Sequence, residues 1–249
     1  MEMEKIKFQV ETTRILEILS SEIYDSPYAL LRENIQNAYD AILMRITEES
    51  LGYDSGEIIA NIGDSEIEII DNGIGMNESE LRKNFWEAGA SGKKTPLALS
   101  SGVIGTFGIG AMANFGVCSR LLVETRSIDS EETLISIAER DKLSISEECI
   151  DLNKEKDGRQ PGTKIIATLD DASKITLQGA IDYLEPYIKY LPVKVVVNGI
   201  LQSQKKYRED LIPDIKELHA CPIKRINSGD YEANVEIMFD RRTAGCTLY

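Results

Sequence analysis

Glu33, Asn37 and Asp40 are spaced by four and then three residues, which on a helix places a carboxylate, an amide and a second carboxylate in one narrow stripe. A carboxylate one turn from an amide can polarise a water while the amide oxygen holds a divalent cation such as Mg2+. The same stripe on an ordinary surface helix is simply a solvated polar face, and the helix by itself leaves both readings open. A second cluster is Asp71-Asn72-Gly73-Ile74-Gly75-Met76. Its Asp is an acceptor for a ligand donor such as an exocyclic amine, and its glycines permit a tight turn and close approach of a ligand to the backbone. A plain Asx turn uses the same residues. The third cluster is Gly105-Thr106-Phe107-Gly108-Ile109-Gly110, followed by the apolar run Ala111 to Phe115. Glycine-rich chain opening into a helix presents N–H donors at the positive end of the dipole, which suits phosphate. Ala111 and Met112 stand where a Walker A loop needs Lys and Ser or Thr, so that loop is excluded. Gly108, Gly110 and Ala113 do fit G-x-G-x-x-G/A, but only Val103-Ile104 precede them as strand, so a Rossmann-type dinucleotide binder stays a minor alternative.

Several elements must hold these clusters in place. Leu31, Ile35, Ala38 and Ile42 repeat at helical spacing and predict an amphipathic helix from Tyr28 to about Glu49. Ile58-Ile59 and Glu66 to Ile70 predict a hairpin turning at Gly63-Asp64. Asn77 with Glu80 forms a variant capping box, predicting a helix to about Ala88. Residues 89 to 111, with six glycines and with Lys93, Lys94 and Pro96, read as a long mobile loop ending at a helix. Strands are expected at 121–125, 133–137, 164–169 and 193–197, with a helix from about Leu177 to Tyr190. Beyond Leu201 the pattern changes to a polar stretch and then an alternating strand at Ala233, Val235, Ile237 and Phe239. The expected organisation is therefore a main domain over 1–200 and, over 201–249, a C-terminal extension or the start of a second domain.

The chain has 249 residues, 42 acidic against 28 basic, and a formal charge of −14. This balance opposes broad contact with nucleic acid or anionic lipid. Four cysteines without a CxxC pair, and no signal-type or membrane-spanning run, lead to the expectation of a reduced, cytoplasmic protein. One histidine, His219, makes a structural zinc site or a Ser-His-Asp triad a poor fit.

Taken in order, the three clusters resemble the Hsp90-like branch of the Bergerat-fold (GHKL) ATPases. The likeness runs from about Leu31 to Gly199 and includes Glu33-Asn34-Ile35-Gln36-Asn37-Ala38-Tyr39-Asp40-Ala41, Ser91-Gly92-Lys93 and Gly162-Thr163-Lys164. It implies an α+β two-layer sandwich, with a mixed, mostly antiparallel sheet and helices on one face. It also implies ATP binding and slow Mg2+-dependent hydrolysis by a lid-gated conformational switch, chaperone-like or regulatory. Glu33 would be the general base and Asn37 the Mg2+ ligand. Asp71 would take the adenine amine, with Gly75 and Thr163 lining the base. Asp40, Ala41, Gly73, Met76 and Asn84 join the nucleotide-contacting set, and Gly105, Thr106, Phe107, Gly108, Ile109 and Gly110 would cap the phosphates. Lys93 or Lys94 would reach phosphate or remain solvated lysines. A homodimer through the ATPase domain and a protein client or partner are implied as well, with no membrane. The alternative is a non-hydrolysing ATP-sensing module of the same fold. This chain departs from the Hsp90 pattern at Ala90 and Ala111, where a Lys and an aromatic are usual, and Arg241 and Arg242 read as surface charges.

Overall fold

The first long helix, α1 (Ala29–Glu49), buries Leu30, Leu31, Ile35, Ala38 and Ile42 to 3% exposure or less, the face its spacing predicts. Its start is set by Ser26, whose carbonyl accepts from Ala29 N and whose hydroxyl accepts from Tyr28 N. Its end is set by Ser50 in the left-handed region, with N–H to Ile46 O. The computed structural model describes residues 26–87, 96–102, 113–144, 147–170 and 175–205, and after them only the backbone of four strands.

The helix lies on an eight-stranded sheet of order β5-β4-β3-β6-β2-β1-β7-β8. The strands are β1 (Glu57–Ile62), β2 (Glu66–Asp71), β3 (Cys118–Arg126), β4 (Thr133–Glu139), β5 (Ile150–Glu155), β6 (Gly162–Leu169), β7 (Lys194–Val197) and β8 (Ile200–Leu201). Every pairing is antiparallel except β1 with β7. A doubly wound parallel sheet, which the Rossmann alternative requires, is not the sheet found. Burial alternates along the strands. Ile58 and Ala60, Ile67 and Ile69, Leu121 and Val123, Ile165 and Ala167, and Val195 and Val197 all point to the helix side, while their neighbours stay half-exposed. A second helix on that side, α4 (Leu177–Ile188), buries Ala180, Leu184 and Ile188 and is capped by the Thr176 hydroxyl, which accepts from Gly179 N.

Two expectations are corrected. The helix after Asn77 has its reciprocal capping box, but α2 (Glu78–Glu80) passes at once into a wider π turn, Leu81–Phe85, closed by Trp86 N to Leu81 O at 3.1 Å. It stops there because Trp86 turns onto the sheet, its indole donating to Ser136 Oγ at 3.1 Å and its ring meeting Phe85 edge-on. Within the glycine-rich stretch, α3 (Pro96–Ser101) is a helix where a loop was expected. Pro opens it with a preset φ, and the next five residues contain no glycine. The edge strand β5 went unpredicted because Asp151, Asn153, Lys154 and Glu155 are exposed there and hide its alternation.

The chain divides into compact units Met1–Lys205 and Lys206–Tyr249. The first retains its last residues through Ser203, whose buried hydroxyl accepts from Val195 N and donates to Val193 O, and through Lys205 N to Lys189 O. In the second, β10 (Lys224–Ser228), β11 (Tyr231–Phe239) and β12 (Ala244–Leu248) pair antiparallel, and β9 (His219–Ala220) also pairs with β11. Among the described residues no helix is long and apolar enough to cross a membrane. Cys118 is a free thiol pushed up to about 12 by burial, and Cys149 is also free.

Candidate functional site

Asp71 closes β2, paired across to Ile58 in β1 and to Thr163 in β6. Its position on the helix side of the sheet buries the carboxyl, and its Oδ1 accepts from Gly73 N at 2.8 Å and Thr163 N at 3.3 Å. Burial pushes its pKa up to about 7, while those two N–H donors, and then Arg159 and Arg45 at longer range, pull the other way. Both of these backbone bonds fall on Oδ1.

Around this acid lies a bed of hydroxyls. Thr163 Oγ1 is 3.0 Å from Thr125 Oγ1, and Thr125 also accepts from Met76 N at 3.0 Å. The two glycines of the turn are also required by the protein's own packing. Each makes a close approach to the protein's own chain. A side chain at Gly73 would meet Ala41 at 2.7 Å, and one at Gly75, whose φ is +66°, would lie 1.8 Å from Arg126 O. Ile74 bonds on both sides of the turn, its N to Ala41 O and its O to Ile128 N, each at 3.0 Å. The turn is thus wedged between α1 and the end of β3, and Asp71 is held beside the helix at Ala41.

Along α1 the expected stripe is not a solvated face. Asp40 is 2% exposed, and Glu33 and Asn37 are half-buried. Glu33 forms an ion pair with its neighbour, Arg32 Nη2 to Glu33 Oε1 at 2.8 Å. That contact is the main reason the guanidinium's pKa is raised, and the same guanidinium lies 5.6 Å from the centre of the Tyr187 ring on α4.

The structure therefore brings together Asp71, Gly73, Gly75, Met76 and Thr163 with the α1 backbone at Ala41, one turn beyond Asn37 and two beyond Glu33. Asn84 is exposed on the π turn. Gly105, Thr106, Phe107, Gly108, Ile109 and Gly110 lie outside the described residues, as do Lys93, Lys94, Arg241 and Arg242. Two contributors were missed. Thr125 breaks the inward apolar series Leu121, Val123, which was its available signal. Arg32 carried no signal, since adjacent helix residues do not ordinarily face each other.

Residues 24–162, more than half of the chain, match the pattern that defines the histidine kinase-, DNA gyrase B- and HSP90-like ATPase family. The chain belongs to this family. Its relatives lie on the Hsp90-like branch. It is 30% identical over 237 residues to the chaperone protein HtpG of Oceanobacillus iheyensis, covering 86% of this chain and 36% of that one. It is 36% identical over 143 residues to HtpG of Shouchella clausii, covering 52% and 23% respectively. Chloroplastic heat shock protein 90-5 of Arabidopsis thaliana is 30% identical over 164 residues, 58% of this chain and 21% of that protein. The chain therefore spans between 21% and 36% of the length of these relatives. The mixed, mostly antiparallel sheet with helices is the HSP90-like ATPase fold that the motifs implied.

Proposed function

We propose that this chain binds ATP between α1 and the adjoining ends of β2 and β6, and hydrolyses it slowly with Mg2+ as the ATPase part of a chaperone-like conformational switch. The observation that carries this reading is the buried Asp71 carboxyl, fixed through Oδ1 by two backbone N–H groups; in this reading Oδ2 accepts from the exocyclic amine of adenine. Thr163 and Thr125 supply hydroxyls beside it, and Gly75 and Met76 line the same end.

With the base so placed, the triphosphate runs along α1 toward Asn37 and Glu33. Among the described residues no group of three His, Cys, Asp or Glu side chains forms a metal cage. The Asn37 amide oxygen suits Mg2+, a hard cation that takes oxygen ligands. When bound, the cation would neutralise charge on the phosphate oxygens, with Asn37 holding it. Glu33 orients the attacking water and takes its proton, which requires the carboxylate to be released from Arg32. The relatives' description as chaperone proteins supports a protein client, and self-association through this domain is part of the same proposal.

The Arg32–Glu33 ion pair is also the observation that favours a second reading, an ATP-sensing module that does not hydrolyse. Phosphate release by wild type and Glu33→Ala separates the two. The enzyme reading requires a loss of turnover with ATP affinity retained; equal rates in the two proteins overturn it.

A further inference from the structure

Asn34 sits between Leu31 and Ile35 on α1, and its side chain is 1% exposed. A polar residue there is expensive to bury unless it is hydrogen-bonded. Its partner lies 80 residues away: Asn34 Nδ2 donates to Asn114 Oδ1 at 2.7 Å, and Asn114 Nδ2 is 3.5 Å from Asn34 Oδ1. Asn114 is 0% exposed and flanked by the buried Ala113 and Phe115. Two amides thus face each other in the buried layer under α1. Two apolar side chains would fill such a space equally well, but they set no direction. Facing amides do, because planar donors and acceptors lose their bonds when either backbone rotates or slides.

Both residues have telling neighbours. Asn34 is next to Glu33 and three residues before Asn37, and Asn114 follows Gly110 by four residues. The pair therefore ties the helix carrying both proposed reacting groups to the chain that leaves the glycine-rich motif.

We infer that Asn34 and Asn114 are positioning residues for the ATPase reaction: their amide pair sets the rotation and axial register of α1, and so the placement of Glu33 and Asn37 against the phosphates. The inference rests on the ATPase reading above. The adenine end meets α1 at Ala41, about two turns from Asn34, and is fixed by backbone bonds of its own from Gly73 N and Thr163 N to Asp71, so a fault in register affects turnover more than affinity.

The test compares wild type, Asn34→Leu, Asn114→Leu and the double variant by melting temperature, ATP titration calorimetry and steady-state phosphate release. Each single variant breaks this bond between buried amides and is expected to lose melting temperature as well as turnover. The double variant removes both amides, and its melting temperature is expected to recover. Its kcat is expected to stay about tenfold below wild type while its ATP affinity remains within about twofold, since small misplacements of reacting groups act on rate. A double variant with wild-type kcat shows that the pair is structural only and overturns the inference. So does a double variant whose affinity falls in step with its kcat. If wild type itself binds no ATP, the ATPase reading falls first and this inference with it.

Discussion

The two halves of the candidate site are held in different ways. At the β2–β6 end, Asp71 is fixed by backbone N–H donors, and the following turn is locked by contacts that only glycine allows, at Gly73 against Ala41 and Gly75 against Arg126. On α1, Glu33 is held by a side chain, Arg32, which also has an aromatic ring within reach. Backbone constraints leave one geometry, whereas side-chain pairs can exchange partners. The first end is built to recognise and the second to change state, and the two should fail differently when mutated.

The largest effect is expected at Asp71. Asp71→Asn puts an amide where the adenine amine needs an acceptor, so ATP affinity should fall about 1,000-fold, read by calorimetry. A modest loss would show that the fixed end does not recognise the base. Next is Glu33→Ala, which should lower phosphate release about 100-fold while leaving ATP affinity near wild type. If affinity collapses too, the two halves are not separable. Gly75→Ala should cost about 2 kcal/mol in urea unfolding, because the new side chain meets Arg126 O in a backbone region that favours glycine. Thr125→Val, which keeps shape but removes the hydroxyl shared by Met76 N and Thr163, should cost about 1 kcal/mol in the same measurement.

The same acid also gives a pH slope. Folded Asp71 holds its proton up to about 7, whereas its ordinary value is 3.8. Between those values the unfolded chain binds fewer protons, so this group's contribution to stability falls as pH rises through the window and levels off above it. Urea midpoints of wild type and Asp71→Asn across this range should therefore differ in slope, with the variant flatter. Parallel curves would mean that the carboxyl is ionised in the fold.

Much of this arrangement was legible in the sequence wherever one face of an element meets the core. Leu31, Ile35, Ala38 and Ile42 announced α1 because a helix on a sheet buries a single stripe, and the inward positions of β2, β3 and β6 alternated for the same reason. Asp71 stood out because an acid ends an apolar strand. What stayed hidden depends on distant partners. Asn34 belongs to the core only because Asn114 meets it. The glycines of the turn read as room for a ligand, and their close approach to Ala41 and Arg126 depends on partners far along the chain. The ion pair on Glu33 joins sequence neighbours, whose contact depends on how a long guanidinium bends back.

Trp86 is the only tryptophan in the chain, and its indole is anchored to β4 through Ser136 at the last turn before the glycine-rich stretch begins. Excited at the red edge of its absorption, beyond that of the tyrosines, the unlabelled protein therefore emits from a single address. Any event that loosens or tightens that anchor shifts the wavelength or lifetime of one emitter rather than an average of many, which gives the molecule a built-in gauge for stopped-flow work.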